Sequence, residues 1–176
     1  MTEFQTLLTG LALLLVLSSA WTDLKDRRIG NRLLLAFFAS GLILRLWFGA
    51  TDSIEPAMLR MGVVALVFLP VFLIRGMGAG DVKLFMLLAF LLEKDATFLM
   101  VTLSLIFGGV FGILEMIRLR CIRYFRPLIL REERREVMAS GRMGIPYALP
   151  IAAGTFLSVF IEGQFQGLMQ MAQGMI

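Results

Sequence analysis

Residues 57–92 read AMLRMGVVALVFLPVFLIRGMGAGDVKLFMLLAFLL. From Ala57 to Ile74 the run is apolar apart from Arg60. At about 1.5 Å per residue it reaches most of the way across a hydrocarbon core of about 30 Å. It breaks at Arg75, passes glycines at 76, 78 and 80, and meets Asp81 and Lys83. A mostly apolar segment then follows over residues 82–92, whose 11 residues reach only about half of such a core. In hydrocarbon every backbone polar group must be satisfied within the protein, so spanning segments of this kind are helices. A full span followed by a charged turn and a half-span predicts an all-α membrane protein whose fourth segment is short, tilted or enclosed by its neighbours.

The rest of the chain agrees. Of 176 residues, 59% are hydrophobic and 17% charged, and the mean hydropathy is +0.84, whereas soluble domains carry roughly 25% charged residues. Apolar runs at about 4–21, 33–49, 57–74, 82–92, 97–117 and 145–161 predict six transmembrane or partly spanning helices. No Pro- or Ser-rich linker divides them, so residues 1–176 are read as one integral membrane domain.

Lysine and arginine concentrate in cytoplasmic loops, and that rule orients the helices. Residues 22–32, 75–83 and 118–142 hold 14 of the 17 basic residues. The alternate connections and both ends of the chain hold only Lys94, while Arg45 and Arg60 lie inside spans, where they are expected to snorkel. This predicts three cytoplasmic loops and both termini outside. The first span is not read as a cleavable signal, because its basic cluster follows the apolar run instead of preceding it. The arginine-rich 118–142 loop reads as an interfacial helix on anionic lipid, not as a nucleic-acid patch, since topology already accounts for its charge.

Histidine is absent and Cys121 is the only cysteine. That removes the Ser-His-Asp triad, the Cys-His dyad, the His-Glu-x-x-His zinc site and thiolate zinc clusters, and no metal or cofactor is expected. Carboxylates remain. Asp23, in Trp21-Thr22-Asp23-Leu24-Lys25, and Asp81, in Gly78-Ala79-Gly80-Asp81-Val82-Lys83, lie at the same predicted membrane boundary although 58 residues apart. An ionisable group beside a span is costly and points to function. Two adjacent carboxylates tend to share one proton, so one can activate water while the other donates to a peptide carbonyl. Gly78 and Gly80 would allow unusual dihedrals and close approach of a substrate backbone. Lys25 and Lys83 would tune the aspartates or attract acidic substrate groups. Other readings of the same residues are an N-cap role for Asp81, solvated loop charges at Asp23 and Asp26, and positive-inside anchoring by the lysines. Pro146 suits a first helical turn, Pro150 should loosen the last helix, and the small residues 152–154 suit close packing.

Three segments together resemble the type IV prepilin peptidases, membrane aspartyl proteases with a Gly-x-Gly-Asp motif. Asp23-Leu24-Lys25-Asp26-Arg27-Arg28-Ile29-Gly30-Asn31 is similar to the family's aspartate followed by a basic stretch and Ile-Pro-Asn, with Gly30 in place of proline. Gly78-Ala79-Gly80-Asp81-Val82-Lys83 matches Gly-x-Gly-Asp-x-Lys. Ile145-Pro146-Tyr147 with Ile151-Ala152-Ala153-Gly154 resembles the family's ending, with Ala148 where glycine is common. The resemblance implies Asp23 and Asp81 as catalytic residues, with Lys83, Lys25, Gly78 and Gly80 in support. It implies prepilin or pseudopilin substrates, cut at the inner face of the bacterial cytoplasmic membrane, and makes pilus assembly machinery a candidate partner. The Cys-x-x-Cys insertion of bifunctional members is missing, which implies the short, peptidase-only members serving Flp-type pili, without N-methylation. The competing expectations are a noncatalytic assembly subunit whose aspartates pair with arginines, and a small ion carrier using Asp81.

Overall fold

The computed structural model describes residues 3–26, 30–74, 77–125 and 148–173, and among these there are six α-helices and no strand. They are α1 (Glu3–Asp26), α2 (Asn31–Trp47), α3 (Ile54–Leu73), α4 (Ala79–Leu91), α5 (Lys94–Phe125) and α6 (Ala148–Gln173), with a 3-10 turn at Thr51–Ser53. Four stretches are long and apolar enough to cross a membrane: Glu3–Lys25, Thr51–Leu73, Lys94–Leu114 and Ala148–Phe165. α2, at 17 residues, lies at the lower limit for a span, and α4 has only 13. The all-α polytopic architecture with a short fourth segment is therefore the one adopted.

α4 is enclosed because it is apolar on every side. Leu84, Phe85 and Leu87–Leu92 are all buried, as expected of a helix without a polar face. α1, α2 and α3 pack around it, while α5 and α6 pair with each other and α6 also meets α1. Phe68 of α3 stacks on Phe85, with ring centroids 4.4 Å apart, and Phe38 of α2 lies 4.9 Å from Phe90. The outer faces carry exposed leucine, isoleucine and phenylalanine, such as Leu14, Leu66 and Ile106, suited to lipid instead of water. Close packing by small residues is realised at Gly154, where an added Cβ would lie 2.6 Å from the backbone nitrogen of Ser104.

Two polar contacts fix the relative direction of the helices. Gln5, near the start of α1, donates to Glu93, just beyond the end of α4. Lys83, near the start of α4, donates to Asn31, the first residue of α2, at 3.0 Å. The last turn of α1 therefore lies at the same end of the bundle as the first turn of α4.

Several expectations change. Arg45 and Arg60 do not snorkel outward: Arg45 is 3% exposed, and both guanidinium groups turn inward onto backbone carbonyls of the α4 end. The reason is that a short enclosed helix leaves its last carbonyls without water. Arg118 to Phe125 prolong α5 instead of starting a separate interfacial helix. The remainder of the 118–142 loop, with Pro146 and Tyr147, lies outside the described residues. Pro150 sits in the first described turn of α6.

Candidate functional site

α1 buries Leu8, Ala12, Leu15, Val16, Ser19 and Ala20. These recur three to four residues apart, the spacing of one helical face, and Asp23 is the next position of that stripe. The helix runs past the expected end of the span to Asp26, so Asp23 is a helical residue facing inward, not a solvated loop charge. It is half-buried, and among the described residues its fully enclosed Oδ2 has no hydrogen-bond partner, nor does the Oγ of Ser19 one turn earlier. Trp21, 71% exposed, and Lys25, also exposed, lie on the outward side of the same turn. The side chain of Asp26 is outside the described residues.

Gly78 is the N-cap of α4, with φ −73° and ψ 149°, which makes Asp81 the third helical residue and not the cap itself. Its carboxyl reaches back to the N–H of Gly78, the reciprocal half of a capping box. The backbone of Gly78 is ordinary extended chain, so the expected special dihedral is not what selects glycine there. Proximity is the better reason, because an added Cβ would lie 3.0 Å from Asp81 Oδ2. Gly80 occupies the second helical position. Gly30, the N-cap of α2, has φ −70°, a value that proline also adopts, so its presence leaves the α2 entry in the shape a proline would give.

Asp81 lies in the first turn of α4, outside the four spanning stretches. Burial, and after it the negative charge of Asp23, raise its pKa to about 6, against the opposing effect of the Gly78 N–H. The two aspartates therefore share an electrostatic environment at one end of the bundle. A carboxyl titrating that high holds its proton far more readily than a solvated aspartate. Glu93 and Asp95 act on Glu162 instead, and the Gln5 contact puts Glu93 at the opposite end.

Lys83 is exposed and lies two positions from Asp81, hence on a different side of α4. Its ammonium meets the Asn31 amide at the mouth of an open groove of about 310 Å³. Leu34, Leu35, Phe38, Met61 and Leu87 form the groove's apolar walls. Sequence reasoning singled out the residues at this end of the bundle but missed the part played by Arg45 and Arg60. A cation inside an apolar segment was the available signal, and the general tendency to snorkel masked it.

No curated protein and no solved structure matches the chain significantly. The sequence model of the type IV leader peptidase family matches residues 10–113, a stretch that holds both Asp23 and Asp81 and more than half of the chain. A half-buried carboxyl pair between helices of a membrane bundle is thus carried on a chain that belongs to the type IV leader peptidase family.

Proposed function

We propose that the protein is an aspartyl endopeptidase that removes the leader from prepilins or pseudopilins, with Asp23 and Asp81 as the catalytic pair. The observation that carries this reading is the electrostatic link between Asp23 and Asp81, two half-buried carboxyls on α1 and α4. Asp81, with its raised pKa, supplies the proton, and Asp23 is the base. Asp23 takes a proton from water as the water oxygen attacks the scissile carbonyl carbon, and Asp81 protonates the carbonyl oxygen. The resulting gem-diol collapses as Asp23 passes the proton it took from water to the amide nitrogen while the Asp81 carboxylate takes back one hydroxyl proton, which restores both carboxyls to their starting forms. The C–N bond breaks to give a carboxylic acid and a free amine.

The charge map supports a site facing the cytoplasm of a bacterial inner membrane, with both termini outside. It suits a substrate whose basic leader stays in the cytoplasm while its apolar helix sits in lipid. The exposed ammonium of Lys83, beside an apolar groove, suits the positioning of an acidic group on that substrate. A single cysteine fits a peptidase of the Flp-pilus type without N-methylation. The alternative of a noncatalytic assembly subunit requires the aspartates to pair with arginines. Among the described residues, Arg45 and Arg60 are committed elsewhere, and Asp23 Oδ2 has no hydrogen-bond partner.

The test is processing of a co-expressed cognate prepilin by Asp23→Asn and Asp81→Asn variants that accumulate in the membrane. Loss of leader removal in both is expected. Wild-type processing by either one would sink the two-aspartate mechanism.

A further inference from the structure

The two ends of α4 are held differently. At the Asp81 end, among the described residues, the side-chain hydrogen bond to a neighbouring helix is the exposed Lys83–Asn31 bond. At the other end the helix stops at Leu91, inside the bundle, where its last carbonyls have no helical donors. The N–H of Leu92 takes the carbonyl of Leu88 at 2.8 Å. The carbonyls of Ala89 and Phe90, and that of Leu92 just beyond the helix, are met from outside. Arg45 of α2 donates from Nη2 to the Phe90 carbonyl at 2.7 Å and from Nη1 to Ser53 Oγ at 2.6 Å. Its guanidinium also lies over the Phe90 ring, 5.0 Å from the centroid. Arg60 of α3 donates from Nε to the Ala89 carbonyl at 3.3 Å and from Nη2 to the Leu92 carbonyl at 3.1 Å.

We propose that Arg45 and Arg60 are positioning residues that set the axial register of α4 and thereby the placement of Asp81 against Asp23. The proposal rests on the reading of that pair as the hydrolytic site. Its physical ground is that burial of leucine and phenylalanine is non-directional. A helix that is apolar all round gains nearly as much after a slip or a small rotation. Charge-assisted bonds to three named carbonyls do not tolerate such a slip. A helix of 13 residues is short enough to move as a rod, so displacement at Phe90 is displacement at Asp81. Arginine suits the task because its planar fork presents several donors in fixed directions, whereas an ammonium is a point charge.

The experiment uses the full chain in lipid nanodiscs and a prepilin-like peptide, comparing Arg60→Gln, Arg60→Lys and Arg45→Lys with the wild type. A fall in kcat of about tenfold or more is expected at little change in KM, the scale of small misplacements in an active site. Both lysine variants should lie between wild type and Arg60→Gln. In a Cys121→Ser background, Asp23→Cys with Asp81→Cys should react readily with a short thiol cross-linker, and several-fold less when Arg60→Gln is added. That second measurement needs no activity, so it reports on register even if the wild type proves not to be a peptidase. Unchanged cross-linking and unchanged kcat per folded molecule in Arg60→Gln and both lysine variants would overturn the proposal, leaving the arginines a purely structural role.

Discussion

Burial and, after it, the charge of Asp23 acting across the gap between α1 and α4 raise the Asp81 pKa to about 6. The donor role proposed for Asp81 requires its protonated form. As pH rises through about 6 that form disappears, so kcat should decline on the alkaline side with a midpoint in that region. Substrate binding that excludes further water would move the midpoint upward, because desolvation disfavours the carboxylate. A pH profile of kcat for peptide cleavage checks this. A rate that kept rising through neutral pH would assign the proton to another group.

The same raised pKa makes Asp81 a destabilising residue above about pH 6. In the unfolded chain the carboxyl ionises near its ordinary value. Between that value and about 6 the native state therefore holds a proton that the unfolded state has lost. Stability falls as pH rises through this window and stays lower above it. Asp81→Asn cannot ionise and escapes the penalty. Its Tm should exceed that of the wild type at about pH 8, with a smaller difference at about pH 4.5. An equal difference at both values would remove ionisation as the cause. A noncatalytic pairing role predicts the opposite, a variant less stable at neutral pH.

Gly78 should be intolerant of alanine for a local reason. Its φ of −73° and ψ of 149° suit any residue, so backbone strain is not at issue, but the new Cβ would lie 3.0 Å from Asp81 Oδ2 and push the carboxyl aside. Gly78→Ala is expected to lower kcat by about 10- to 100-fold, the range for small misplacements at a reacting centre, with little change in Tm. Gly30→Ala is the control, since nothing lies within 4 Å of its added Cβ. Equal activity of the two variants would show that the carboxyl can move without consequence.

The helices were legible because hydropathy and charge are local properties. The fourth segment's short length, read from 82–92, matches α4 closely. Asp81 was legible through the motif around it. Asp23 was legible as a residue but not as a helical one, because the span was ended at the last apolar residue, whereas the backbone continues to Asp26 and carries the inward stripe with it. Arg45 and Arg60 were misread because their partners are carbonyls 45 and 29 residues farther along. Backbone acceptors leave no mark in a sequence. The orphaned end of a short enclosed helix becomes visible only once that helix is seen to stop inside the bundle.

Gly154 and Ser104 give a test of the α5–α6 contact that is independent of catalysis. A Cβ at Gly154 would come within 2.2 Å of Ser104 Oγ and 2.6 Å of the Ser104 backbone nitrogen. The first clash can be relieved by removing a side chain, but the second is with the main chain of α5. Gly154→Ala should therefore force the helices apart and lower stability by about 1–3 kcal/mol, the usual scale of overpacking. Adding Ser104→Gly should recover only a minor part of it. Thermal unfolding in detergent or nanodiscs measures both. Full recovery in the double variant would mean that the Ser104 side chain alone caused the clash and that the α5 main chain does not limit the contact.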